Sequence, residues 1–152
     1  MAWTFFPLST APAPCSIVWC RFPYVEEQDK PGPKSRPGIV KRVSGDQDGN
    51  PWVHVAYGTT KSVFRHGLEN FTISNVSEMD ICGLWCATRF RLDRVALLPW
   101  CSEFFKDAPG RQSPVMGRLS EHGVSLLRYQ GARLAKQESE QQAQLPLDSD
   151  ED

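Results

Sequence analysis

The sequence is short of several things that would have pointed elsewhere. It has no uninterrupted apolar run of the roughly 18 residues that a membrane-spanning helix needs, so no membrane span is expected. It has three histidines and no cluster of carboxylates, which sets a metal-dependent nuclease aside. Its five cysteines (Cys15, Cys20, Cys82, Cys86, Cys101) are an odd number, which favours reduced thiols in a cytoplasm over a disulfide framework. Cys82 and Cys86 have no second Cys or His pair at ligand spacing, so no zinc site is expected and they read as small buried hydrophobes on strands. Met1 to Pro14 lacks a basic leader and is broken by Pro7, Pro12 and Pro14. It reads as a ragged, partly disordered arm of residues 1–14 rather than a signal peptide. No internal repeat is present.

Charge is present in nearly equal amounts but unevenly placed. The formal net charge is −1 over 152 residues. Residues 137–152 hold six acids (Glu138, Glu140, Asp148, Asp150, Glu151, Asp152) and no base, and read as a disordered acidic tail. The remaining 17 bases face 12 acids, a body near +5 that suits a polyanionic partner. An acidic tail beside a basic body suggests competition with nucleic acid for the basic face.

Between arm and tail, residues 15–136 read as one domain. Ser16 to Phe22 is rich in β-branched and aromatic residues, a first strand. Pro23 to Lys34 is a polar loop punctuated by Pro31-Gly32-Pro33. Gly38 to Val43 is a second strand, entered through Pro37, which forces Arg36 toward an extended backbone. Ser44 to Pro51 is a turn, and Trp52 to Tyr57 alternates as a third strand. Phe71 to Val76, Leu84 to Leu92 and Val95 to Trp100 read as further strands, with Asp93-Arg94 as a turn between the last two. A helix is expected from near Ser120, which can cap it, to about Lys136. The pattern is mainly β: a small barrel with a C-terminal helix packed on it.

Two strand ends carry the chemistry. Arg36 offers a planar fork that matches phosphate oxygens bidentately. Gly58-Thr59-Thr60-Lys61 offers a tight turn, paired hydroxyls and an ammonium. Arg89 and Arg91 fall on one face of a strand, which reads either as an extension of the site along a polyanion or as a solvated edge-strand face. Trp52, Trp85 and Trp100 could stack bases, although most barrel aromatics belong to the core.

These pieces, in this order, resemble the MazF/PemK toxin family. The resemblance rests on Ile17-Val18-Trp19, Arg36-Pro37-Gly38-Ile39-Val40, Val55 to Lys61 and Leu84 to Leu92, and covers roughly residues 15–100. It implies an SH3-like barrel, commonly a homodimer, acting as a metal-independent endoribonuclease without a cofactor. Such toxins cut single-stranded RNA and are neutralised by a cognate antitoxin protein. Residue by residue, Arg36 matches the family's catalytic arginine and Thr59 its catalytic threonine. Thr60, Lys61, Arg89 and Arg91 would contact substrate. Lys61 stands where many members have Gln, and Leu84 to Thr88 offers no Asp where some members carry an acidic partner. The general base is left unassigned among His54, His66, Glu26 and Glu27. The competing reading is a non-catalytic barrel that binds and inhibits a protein target, as the related gyrase poisons do.

Overall fold

The computed structural model describes residues 2–144. Its centre is a six-stranded antiparallel sheet built from β1 (Ser16–Cys20), β2 (Arg36–Gly45), β3 (Pro51–Thr59), β4 (Asn70–Ile73), β5 (Thr88–Pro99) and β6 (Val115–Arg118). Helix α1 (Val76–Cys82) follows β4, and α2 (Glu121–Ala143) follows β6. The strand order is β4-β5-β3-β2-β1-β6, so β4 and β6 are edges and the sheet is open where a closed barrel was expected. Helix α1 packs on β6. Gly117 of β6 makes that approach possible: a Cβ there would lie 2.6 Å from the Cys82 carbonyl carbon.

The sheet is buried on both faces. One core gathers Ile17, Ile39, Phe71, Phe90, Leu92 and Met116 under Leu127 and Leu134 of α2. The other gathers Val18, Val40, Val53, Val55, Leu98 and Trp100 with Phe104 and Phe105. Strand β5 serves both, because three extra residues intervene between the Tyr57–Arg91 and Ala56–Val95 pairs. A slip by an odd number of residues exchanges the faces of a strand, so Phe90 and Leu92 point to one core and Ala96 and Leu98 to the other. The Asp93-Arg94 turn expected from the sequence is this bulge within one continuous strand.

Three further expectations are corrected. The N-terminal arm is docked: Phe5 bridges Cys101, and the Phe6 amide donates to the Trp100 carbonyl at 3.0 Å. Trp3 meets Phe104 edge-on at 5.2 Å and Phe6 meets Trp100 at 5.1 Å. Partial burial of three aromatics holds down an arm whose prolines suggested disorder. The Thr4 amide and hydroxyl both donate to Glu103, holding its carboxyl down to about 2. Second, Phe71 to Val76 is not wholly strand. Asn75 accepts from the Glu78 amide at 3.2 Å, caps α1 and ends the extended run. Third, α2 continues seven residues beyond Lys136 to Ala143, through Gln137, Glu138, Glu140, Gln141 and Gln142, all straight-chain helix formers. The rest of the acidic tail, 145–152, lies outside the described residues. Ser120 caps α2 as expected, accepting from the Gly123 amide at 3.0 Å. Its own amide and hydroxyl donate to the Glu78 carboxylate at 2.9 and 2.5 Å, fastening α2 to α1.

Candidate active site

The start of β2 and the end of β3 lie side by side because the strands are antiparallel: Gly38 pairs with Tyr57, and Pro37 lies against Gly58. Glycine is required at 58, since a Cβ would sit 2.8 Å from the Phe90 ring as well as against the Pro37 carbonyl. That close approach brings Arg36 and Thr59 to one cleft of about 250 Å³. Ser35, Arg36, Pro37, Gly58, Thr59 and Thr60 line one part of it. Trp19, Leu84, Trp85, Cys86 and Thr88 line the rest.

Arg36 opens β2 opposite Cys20 of β1, which fixes its backbone. Its guanidinium stands 5.8 Å from the Tyr57 ring centroid and has no ion-pair partner among the described residues. Arg94, delivered by the β5 bulge, lies 4.3 Å from the centroid of the same ring. Thr59 is 6% exposed, at the floor of the cleft. Its hydroxyl oxygen accepts from the Lys61 amide at 3.1 Å, which leaves the hydroxyl proton available to a ligand oxygen. Thr60 is exposed at the rim.

The other expected contacts lie elsewhere. The Lys61 side chain does not line the cleft; the residue acts through its backbone, as donor to Thr59 and as acceptor from Arg89. Arg89 is 6% exposed, and Nη1 donates to Asn70 Oδ1 at 2.6 Å while Nε and Nη2 reach the Lys61 carbonyl at 3.4 and 3.3 Å. Arg91 shares a second pocket with Arg65, Glu69, Asn70 and Arg89, and is paired with Asp93 at 2.9 Å. Alternation did put Arg89 and Arg91 on one face, but both are engaged by their own chain.

Of the candidate bases, none lines the cleft. His54 lies five residues back along β3 from Thr59, about 16 Å at strand rise. Its partial burial, with Arg42 nearby, holds the imidazole below its ordinary value. His66 contributes its carbonyl to Asn70, and Glu27 pairs with Lys30 at 3.5 Å. Trp52 and Trp100 are structural: the Trp52 indole donates to Asp46 at 2.9 Å and Trp100 is buried. Cys82 ends α1 inside the core, and burial pushes its thiol up to about 12. Cys86, read from sequence as a buried strand residue, sits in the α1–β5 loop and lines the cleft.

Among the described residues, no three His, Cys, Asp or Glu side chains gather as a metal site, and no helix is long and apolar enough to cross a membrane. No family model and no curated protein matches the chain.

Proposed function

We propose that this chain is a metal-independent endoribonuclease of the MazF/PemK toxin type, acting on single-stranded RNA in the cytoplasm. The observation that carries the reading is the convergence on one cleft of Arg36, which has no carboxylate partner among the described residues, and Thr59. In-line attack by a ribose 2′-oxygen forms a bond to phosphorus as the bond to the 5′-oxygen breaks. The products are a 2′,3′-cyclic phosphate and a free 5′-hydroxyl; the attacking hydroxyl loses its proton and the leaving oxygen gains one. Charge grows on the non-bridging oxygens, where a preorganised guanidinium stabilises the transition state more than the ground state. Thr59 is the positioning group, donating its hydroxyl proton to the same phosphate. A homodimer and a cognate antitoxin belong to this proposal through the family resemblance.

The second reading is a binding-only protein on the same sheet. It draws on the cleft lining, which contains no imidazole or carboxylate to take the 2′-proton. One experiment separates the two. Purified protein is incubated with long single-stranded RNA in EDTA, beside Arg36→Ala, and the fragment ends are mapped. Discrete cuts with 2′,3′-cyclic phosphate ends, lost in the variant, are expected; RNA left intact by folded wild-type protein overturns the ribonuclease.

A further inference from the structure

Trp85 is the one tryptophan of five that is largely exposed, at 59%, and it lines the same cleft as Arg36 and Thr59. An exposed indole is ordinarily mobile, but this one is fixed. It packs edge-on against Trp19 at 5.4 Å, with 60° between the rings. Trp19 in turn is held in β1, its amide donating to the Pro114 carbonyl at 2.8 Å. The loop that carries Trp85 is pinned at both ends. The Leu84 amide donates to Met79 at 2.9 Å after the left-handed turn at Gly83, and the Thr88 hydroxyl donates to the Cys86 carbonyl at 3.1 Å.

A flat, half-open aromatic in the same cleft as an arginine with no ion-pair partner among the described residues suits a ligand with a planar ring next to an anion. No carboxylate lines the cleft to oppose that anion. We propose that Trp85 is a stacking platform for the nucleobase adjoining the phosphate that Arg36 holds. The inference rests on the ribonuclease reading for the identity of that phosphate, and it extends the site to a base subsite. The platform requires single-stranded RNA, because a base inside a duplex has both faces covered by its neighbours. Stacking tolerates every base, so the platform sets grip and register, and base edges supply selectivity. At 59% exposure the Trp85 ring keeps open surface on which a base can stack. Trp85 acts as a positioning residue: it holds the nucleotide whose phosphate reacts.

The test uses a fluorescent pool of short, fully 2′-O-methylated single-stranded RNA, which lacks the attacking hydroxyl and so cannot be cut. Binding is measured by anisotropy for wild type, Trp85→Ala and Trp85→Phe, with thermal unfolding recorded for each. Trp85→Ala is expected to weaken binding roughly 5- to 150-fold. Trp85→Phe, which keeps a stacking ring, is expected to stay within a few-fold of wild type. On unmodified RNA the Ala variant should raise KM with little change in kcat.

The outcomes separate the two claims. Equal binding and equal KM in a folded Trp85→Ala protein that still cleaves overturn the platform and leave the ribonuclease standing. Trp85-dependent binding by a wild-type protein that never cuts RNA overturns the ribonuclease and leaves the platform standing. Failure of wild type to bind any single-stranded RNA overturns both.

Discussion

Two basic regions lie on neighbouring strands, Arg36 and Thr59 at the ends of β2 and β3 and Arg89 and Arg91 on β5, and they are built for opposite ends. At the cleft, Arg36 has an aromatic ring beside it and no carboxylate partner among the described residues, and Thr59 keeps its proton unused. In the neighbouring pocket, Arg89 donates to Asn70 and Lys61, and Arg91 is paired with Asp93. Both regions rest on arginines of one sheet. What differs is whether the polar groups are already satisfied: an engaged guanidinium would have to break its own bonds to hold a phosphate, and a free one would not.

That contrast can be broken at four points, in decreasing order of expected effect. Arg36→Ala should lower RNA cleavage by about 10²- to 10³-fold, the scale for losing one preorganised donor to a transition-state oxyanion, with Tm nearly unchanged. A folded variant that still cleaves at the wild-type rate would sink the assignment. Thr59→Val should cost about ten- to a hundredfold in kcat, while Thr59→Ser, which keeps the hydroxyl and the bond from the Lys61 amide, should retain most activity. Equal rates for Val and Ser would reduce Thr59 to a turn residue.

Arg89→Met should act on the fold instead. It strands the buried Asn70 amide oxygen and removes two of the bonds that hold the Lys61 carbonyl, a loss of about 1–3 kcal/mol. At roughly 2–4 °C per kcal/mol for a chain of this size, the drop is visible in a thermal melt. Cleavage per folded molecule should persist; a cleavage defect at full stability would move Arg89 back to the substrate. Arg91→Ala should do least, since a pair whose side chains are 38% and 35% exposed contributes about 1 kcal/mol or less. RNA affinity that falls further for Arg91→Ala than for Arg36→Ala would reverse the comparison.

The sequence disclosed the free region better than the engaged one. Arg-Pro before a strand and Gly-Thr-Thr after another named the two strand ends, and antiparallel pairing was enough to bring them together. Alternation also put Arg89 and Arg91 on one face, but nothing local showed that Asn70 and Asp93 would occupy them. Asn70 is 19 positions away in the chain and meets Arg89 only through β4–β5 pairing. Strand content was readable from β-branched and aromatic runs; closure was not, because it depends on whether β4 and β6 meet. Helix α1 was readable in principle, from Asn75 three residues before Glu78 and Gly83 at the far end, but its seven residues are too few for a periodic stripe. Trp85 was one candidate among three, and only packing separated it from Trp52 and Trp100.

The docked N-terminal arm has a consequence for synthesis. Thr4 is joined to a residue 99 positions later, and Thr10 to one 90 positions later. A ribosome therefore makes Trp3, Phe5 and Phe6 long before it makes Trp100, Glu103 and Phe104. Until then Trp3 and Phe6 lack the rings they pack against and stand open to solvent or to a chaperone. The arm can close only after β5 is complete, so its docking marks a chain whose first five strands have already been made.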